Sequence, residues 1–404
     1  MPTILQITID GNMGSTGRIA EAIGSLAISR GWDSYIAHGR FTRPSGSKII
    51  KIGSKIDVWT HGLQTRLFDR HGLGSKSSTI RLINQIKMIS PDVIHLHSIH
   101  GYYINMEVLF NYLSKTSTPV IWTFHDCWSI TGHCSHFDYV GCEKWKTECH
   151  HCPQKMDYPA SYFMDRSREN YKLKKQLFTS VPNMTIVSVS KWLDSVVRDS
   201  FLKHIPREVI YNGVDIDIFN TLVDRKKVKE KLDIGNGLMI LGVAGVWPRQ
   251  KGLIDFVKLS KIIGKEDSIV LVGLSKSQIK GLPPNIIGIA HTENQQELKD
   301  LYASADMFLN LSVEETFGLT TAEALACGTP AIVYNSTACP ELVDNKTGIV
   351  VKRNDIVELL AAVNTIKHNG KNYYADACRE RAIKLFDKNE RFNDYIDLYE
   401  KLQL

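Results

Sequence analysis

The sequence predicts an α/β protein built from two consecutive doubly wound units. Three observations carry that expectation. Its 404 residues give room for two to three domains at about 150 residues each. Short Val/Ile-rich runs alternate with helix-length segments, the pattern of parallel strands joined by helical crossovers. The same rhythm then restarts after a charged break midway. With 43% hydrophobic and 23% charged residues, the composition is that of an ordinary globular chain and excludes disordered and fibrous classes.

In the first half the strand candidates are TILQITI (3–9), DSYIAHG (33–39), KIIKIG (48–53), DVIHLHS (92–98), PVIWTFHD (119–126) and MTIVSVS (184–190). Between the first two lies TGRIAEAIGSLAISRG, whose Ile19, Ile23, Leu26 and Ala27 share one helical face and whose Gly31 is a natural stop. The second half offers LMILGVAG (238–245), SIVLVGL (268–274), NIIGIAH (285–291), MFLNLS (307–312) and PAIVYN (330–335). The division expected is 1–208, 209–380 and a closing helix over 381–404, with the turn Asn212-Gly213 near the join. The N-terminus reads as a first strand and not as a signal peptide, and the longest apolar run, LMILGVAGVW, is about half the ~20 residues of a membrane helix. These two features predict a cytosolic protein.

The first 210 residues carry 25 Lys and Arg against 17 Asp and Glu, and the remainder 24 against 26. A basic first half suits an anionic surface or substrate, although solvated side chains explain it equally. Ligands of open α/β sheets bind outside the carboxyl ends of the strands, so Gly11, Gly14, His125, Lys251 and Glu315, each just after a strand candidate, are where chemistry is to be sought.

The stretch EETFGLTTAEALACGTP (314–330) follows the strand MFLNLS and sets Glu315 and Glu323 on either side of a helix start. Unpaired N–H groups and the positive dipole end at such a start bind phosphate, and Gly318 lets a ligand come close. Carboxylates repel phosphate but accept from hydroxyls. Two of them around an anion site therefore imply a ligand with phosphates in the middle and polyols at both ends, the form of a nucleotide-sugar. Plain capping or surface glutamates are the alternative.

The loop GNMGSTG (11–17) reads G-x-x-G-x-x-G where a dinucleotide fingerprint reads G-x-G-x-x-G, and the second strand ends in His38-Gly39 without the acidic residue that holds an adenosine ribose. This argues against NAD and leaves a sugar or phosphate approach, with Arg18 nearby, or a tight turn. His95, His97 and His100 in HLHSIHG spell an H-x-H that fits loop or core packing better than metal. Asp215-Ile216-Asp217 spells D-x-D in a turn and is discounted as a metal site. Cys134, Cys142, Cys149 and Cys152 give C-x(7)-C-x(6)-C-x(2)-C within a Cys-rich insert at 127–152; only the last pair has a usual zinc spacing, so structural zinc, unligated thiols and a redox role stay open. Cys127, Cys327, Cys339 and Cys378 read as small core hydrophobes. YFMDRSRENYKLKKQLF (162–178) is a basic amphipathic helix candidate, either a solvated face or one resting on anionic membrane.

The segments SVEETFGLTTAEALACGTPAIV, YNGVD (211–215), GVWPRQKGL (245–253) and ELKDLYASADMFLNLS together resemble the retaining glycosyltransferases of family 4, which carry an E-x(7)-E signature on the GT-B fold. The resemblance covers nearly all of 205–350 and is weaker before it. It implies two facing Rossmann-like domains with the closing helix crossing back to the first, a UDP- or GDP-sugar held by the second and a glycan or lipid-linked acceptor by the first. No nucleic acid partner and no catalytic metal are implied. Carried over, Glu315 holds the donor sugar's hydroxyls, Glu323 the ribose hydroxyls and Lys251 the diphosphate, within a donor site that also takes in Gly14, Arg249, Phe317, Gly318, Leu319 and Thr320. His125, at the end of PVIWTF, becomes a sugar contact or acceptor orienter. Val246 stands where the family often has Arg, and Arg249, two residues before Lys251, is the candidate replacement. The activity implied is hexosyl transfer with retention of configuration, in surface polysaccharide synthesis, in the cytoplasm or at the inner face of the membrane. A sugar-nucleotide epimerase or phosphorylase on the same fold, or a non-catalytic nucleotide-sugar or glycan-binding protein, are the other classes compatible with these residues.

Overall fold

The structure, a computed structural model, describes residues 1–403. Seven strands form the first sheet: β1 (Thr3–Thr8), β2 (Asp33–His38), β3 (Lys48–Lys51), β4 (Val93–Leu96), β5 (Val120–Phe124), β6 (Met184–Ser188) and β7 (Arg207–Val209). Six form the second: β8 (Met239–Val243), β9 (Ser268–Val272), β10 (Ile286–Ile289), β11 (Met307–Asn310), β12 (Ala331–Tyr334) and β13 (Gly348–Val351). All pairings are parallel, in the orders β3-β2-β1-β4-β5-β6-β7 and β10-β9-β8-β11-β12-β13. Both orders reverse direction beside their first strand, which is the doubly wound arrangement and places a ligand crevice there.

Two compact units result, one from Met1–Ile210 with the chain from Phe392 onward, the other Tyr211–Arg391. Strands β4, β5 and β6 are buried at every position, as expected of parallel strands covered on both faces, whereas the edge strand β3 (KIIK) is largely exposed. The first helix, Gly14–Ser29, buries Ile19, Ala20, Ile23 and Ala27 against the sheet. Gly24 allows its close approach, because a Cβ there would stand 2.5 Å from Ser47 Oγ.

The chain does not enter its last helix at 381. Helix Lys371–Phe386 stays with the second unit, where Arg379 donates to Ala326 O at 2.9 Å. Asp387 then breaks the run, as Val214 accepts from the Lys388 amide at 2.9 Å. The final helix, Lys388–Gln403, carries Phe392, Tyr395, Ile396, Leu398 and Tyr399 into the core of the first unit beside Ile4, Val93, Ile121 and Val187. Tyr399 Oη lies 2.6 Å from His95 Nδ1. The closing helix thus crosses back to the first unit, as the resemblance implied.

That core is unusually rich in imidazole. Burial pushes His61 and His125 down to about 4 and holds His71, His95 and His97 well below the ordinary 6.5, the last three with help from neighbouring histidines. A folded-state value below the unfolded one gives stability that is intact above pH 6.5 and lost as pH falls towards about 4, since the unfolded chain takes up protons that the folded chain refuses. His133 runs the other way, burial being outweighed by the Asp69 carboxylate, but it is one group against six, since burial also lowers His38. The urea midpoint of the first unit is expected to fall continuously from pH 6.5 to 4. A midpoint unchanged over that window would show that these rings are hydrated.

Candidate active site

In the second unit the strand order reverses between β8 and β11, and the loops leaving those two strands meet. Gly252, at φ 74°, makes the meeting possible: a Cβ there would stand 2.3 Å from Leu311 O. The amide of Val313 donates to Gln250 O at 2.9 Å, tying one loop to the other. The consequence is that Lys251 Nζ reaches Glu315 Oε1 at 2.5 Å, in a partly buried ion pair. A third loop, after β12, holds Glu315 from behind, through its amide donating to Thr337 Oγ1 at 2.9 Å and its carbonyl accepting from Ala338 at 3.2 Å.

Helix Leu319–Ala326 starts beside this pair. Gly318 precedes it at φ 96°, a left-handed conformation that favours glycine. Asn310 donates to Thr321 Oγ1 at 3.0 Å and accepts from the Ser312 amide at 3.1 Å, fixing the loop to the helix. Among the described residues the amides of Leu319 and Thr320 meet no acceptor, so they remain available to an anion. Glu323 lies one turn along on the face of Leu319 and Thr320, and Tyr302 Oη donates to its Oε2 at 2.9 Å. Tyr302 is fully buried and has no other evident purpose for its hydroxyl. The arrangement can bind a dianion at the helix front, with carboxylates positioned for hydroxyl groups on either side.

One expectation is corrected. Phe317 is 3% exposed and packs against Tyr211 and Phe386, so its ring is core and only its backbone borders the helix start. Arg249 lies in a short turn with Lys251 and is exposed, with no partner among the described residues. Asp215 of the D-x-D pairs with Lys388 Nζ at 2.5 Å and accepts from the amides of Asp217 and Ile218, a structural role.

In the first unit His125 follows β5, and a chain of hydrogen bonds fixes its tautomer. Gln6 Nε2 donates to Ala20 O at 2.7 Å, which turns Gln6 Oε1 toward His97 Nε2 at 3.0 Å. His97 must therefore carry its proton on Nε2. Its Nδ1 is left to accept from His125 Nε2–H, at 3.1 Å. His100 Nε2 is 2.7 Å from Asp126 Oδ2; burial acts to raise the Asp126 carboxyl, but His100 and further hydrogen bonds hold it well below the usual range. The three histidines of HLHSIHG are thus a buried support and not a metal site. Gly14 stands exposed at φ 66°, and the spacing of its neighbours is explained locally: a Cβ on Gly17 would meet Asp10 O at 2.5 Å, and one on Gly11 would meet Thr42 Oγ1 at 2.7 Å. Arg18 turns back onto Gly14 O at 3.1 Å.

The helix expected over 162–178 begins only at Ser167 and ends at Phe178. Lys174 is buried within it, so its basic face is interrupted, and Tyr162 to Met164 form an irregular exposed run. Cys134, Cys142, Cys149 and Cys152 border one small space, with no disulfide, and among the described residues no three metal-ligating side chains stand in metal-holding geometry.

The model of "Glycosyltransferase Family 4" matches residues 18–218, and that of "Glycosyl transferases group 1" matches 224–385. The two tile the chain from the first helix to the end of Lys371–Phe386. The chain belongs to the GT-B glycosyltransferases of the family 4 type. The glycosyl transferase WcaC of Escherichia coli (strain K12), named for colanic acid biosynthesis, is 24% identical over 372 residues, covering 88% of this chain and 89% of WcaC. Sucrose-phosphate synthase from Thermosynechococcus elongatus aligns with a TM-score of 0.73 at 17% identity, over 100% of this glycosyltransferase and 99% of the synthase. HepE of Anabaena, solved in complex with UDP-glucose, aligns with a TM-score of 0.68 at 15% identity over 99% of each chain. The last two likenesses speak for the fold alone.

Sequence reasoning missed Tyr302, Gln6 and His97 as parts of the glycosyltransferase's candidate site. Tyr302 lies in ELKDLYASAD, a run that carried the resemblance, but nothing in the run says where the hydroxyl points. For His125 the structure makes a spectroscopic prediction. Long-range nitrogen–proton NMR is expected to show the Nε2–H tautomer, still neutral at pH 5, and His97→Phe is expected to abolish that fixed tautomer. An Nδ1–H tautomer in the unmodified chain would break the relay from Gln6.

Proposed function

We propose that this glycosyltransferase moves a hexose-type sugar from a UDP- or GDP-sugar to a glycan or lipid-linked acceptor, with retention of anomeric configuration, in surface polysaccharide synthesis. The observation that carries the reading is the Lys251–Glu315 pair beside the unpartnered amides of Leu319 and Thr320. Lys251 and the helix front receive the diphosphate, Glu315 the sugar hydroxyls and Glu323, braced by Tyr302, the ribose. Lys251 then stabilises charge that grows on the leaving phosphate as the glycosidic bond breaks. Glu315 acts as a positioner. His125, neutral because burial holds it at about 4, serves as an uncharged hydrogen-bonding group toward sugar or acceptor. The E-x(7)-E resemblance supports retention, the solved HepE complex with UDP-glucose supports the donor class, and the WcaC relative supports the polysaccharide setting.

The test is a panel of nucleotide-sugars with and without acceptor, with product configuration read by NMR. Transfer only in the presence of acceptor, with the donor's anomeric configuration kept, is expected. Conversion without acceptor would point to an epimerase or phosphorylase, and binding without consumption to a non-catalytic protein. Lys251→Ala is expected to lower turnover by about 100- to 1000-fold, the scale of losing one donor to a developing oxyanion. Glu323→Ala is expected to weaken donor binding by about 10- to 100-fold, since a hydrogen bond to a charged group contributes roughly 1.5–3 kcal/mol. Unchanged calorimetric affinity would remove Glu323 from the ribose site.

For a lipid-linked acceptor we assign a peripheral contact with the inner face of the membrane. No helix among the described residues is long and apolar enough to cross a membrane. Ile56 and Trp59, on helix Lys55–Phe68, and Phe163 are 73%, 67% and 73% exposed, and the Tyr162 amide donates to Arg66 O at 2.8 Å, joining the two apolar segments. Lys55, Arg66 and Arg70 are exposed around them, a composition suited to anionic lipid. Sedimentation with vesicles containing phosphatidylglycerol is expected to capture the protein, less so at high salt. Trp59→Ala with Phe163→Ala is expected to release most of it, and equal capture of both forms would refute the contact.

A further inference from the structure

After His125 and Asp126 the chain runs from Cys127 to Arg166 with no regular element beyond the short turns Trp128–Ile130 and Lys144–Lys146. This stretch borders a small, partly open space of about 10 Å³, room for roughly one water-sized sphere. Cys134, Cys142, Cys149 and Cys152 all border it, and all four are free thiols. Thiols are weak hydrogen-bonding groups, so four of them around one small space satisfy little as they stand.

His133 borders the same space. It is 2% exposed, its Nδ1 lies 2.6 Å from Asp69 Oδ1, and its Nε2 is buried with no partner among the described residues. Asp69 is itself held by the Arg166 amide at 2.7 Å. An imidazole backed by a carboxylate, with its far nitrogen unpartnered beside a group of thiols, is the form of a support for a metal centre. Charge points the same way. Lys174 Nζ is buried against the carbonyls of Trp128 and Thr131 at 2.6 and 3.0 Å and over the Trp128 ring at 3.4 Å. Lys144, another lining residue, donates to the carbonyls of His150 and His151 at 3.0 and 3.1 Å. Both ammonium groups take carbonyls as hydrogen-bond partners beside the thiols, with the Asp69 and Asp126 carboxylates near Lys174.

We propose that Cys134, Cys142, Cys149 and Cys152 hold one structural Zn²⁺ as four thiolates. Binding releases one proton from each thiol and leaves a tetrathiolate centre of net charge −2, beside the buried Lys174 side chain and the unpartnered His133 Nε2. Cys149-x-x-Cys152 supplies the tight knuckle usual for such sites. The ion would hold the four sulfurs at about 2.3 Å from a shared centre. The metal would cross-link an irregular segment whose own apolar packing rests on a few rings, Phe137 and Trp145 among them. It thereby fixes the loop leaving β5, directly after His125, and has no part in the transfer reaction.

The test uses the full chain, purified without chelator and without a histidine tag. Elemental analysis is expected to find about one zinc per chain, and Cys149→Ser with Cys152→Ser to remove nearly all of it. Because that variant can fail to fold, the unmodified protein is also treated with a strong chelator. Loss of zinc is expected to expose four additional thiols to a disulfide reagent and to lower the unfolding temperature. Cobalt reconstitution is expected to give the charge-transfer bands of a tetrahedral four-sulfur site. His133→Phe is expected to weaken zinc binding by about 10- to 100-fold at unchanged stoichiometry. A folded, metal-free protein whose thiols react alike with and without zinc, a disulfide among the four, or a cobalt spectrum with fewer than four sulfurs would overturn the proposal. None of these readouts depends on which sugar or acceptor the enzyme uses.

Discussion

The contact between Lys251 and Glu315 is the constraint from which the rest of the second unit's site follows. Two charged side chains 64 positions apart can share a partly buried spot only if the loops after β8 and β11 touch, and they touch because Gly252 has no side chain to hold Leu311 away. Each charge answers the other, which avoids the penalty of an unpaired buried ion. A diphosphate arriving at the amides of Leu319 and Thr320 would compete for the same ammonium and release the carboxylate toward hydroxyls. In the proposed reading, the resting pair is therefore also a selector, since a ligand must offer both an anion and a polyol to replace what it breaks.

The first unit solves a different problem with a related sheet order. Its candidate groups are imidazoles kept neutral by burial, and their orientation comes from an amide: Gln6, pinned by Ala20 O, dictates the proton position on His97 and through it on His125. Neutrality and a fixed tautomer suit a group that must face hydroxyls without attracting the donor's phosphates. They also explain why so many histidines sit within one core. Each ring supplies one donor and one acceptor, and the Tyr399 and Tyr395 hydroxyls of the returning helix complete the set around His95 and Thr123.

Much of this was legible in the sequence because strands buried on both faces appear as unbroken Val/Ile runs. All eleven strand candidates are strands. The two that escaped, β7 (REV) and β13 (GIVV), are three and four residues long and lie at the ends of their sheets, where a short run carries little periodic signal. The positions of Lys251, Gly318 and Glu323 relative to strand and helix ends were readable from spacing. What spacing cannot supply is direction. Phe317 occupies a signature position and yet turns into the core. Tyr302 and Gln6 matter through partners 21 and 91 positions away, pairings that only the sheet order creates. The stretch 162–178 shows the same limit, since an amphipathic pattern does not reveal that Lys174 is drawn inward by carbonyls from the preceding loop.

The excess positive charge of the first half deserves a more specific location than the sequence allowed. It does not lie on the groups near the carboxyl ends of β4 and β5, where His97 and His125 are neutral and Asp126 is anionic. Part of it is interior, on Lys174, held by the carbonyls of Trp128 and Thr131 and over the Trp128 ring. The rest is exposed, with Lys55, Arg66 and Arg70 lying around apolar side chains that no other element covers. In the proposed reading the anion-binding groups belong to the other unit, so the basic first unit has no need to attract the nucleotide-sugar. The same reading gives its charge to a lipid surface, since solvated lysines alone would require no exposed Trp59 or Phe163.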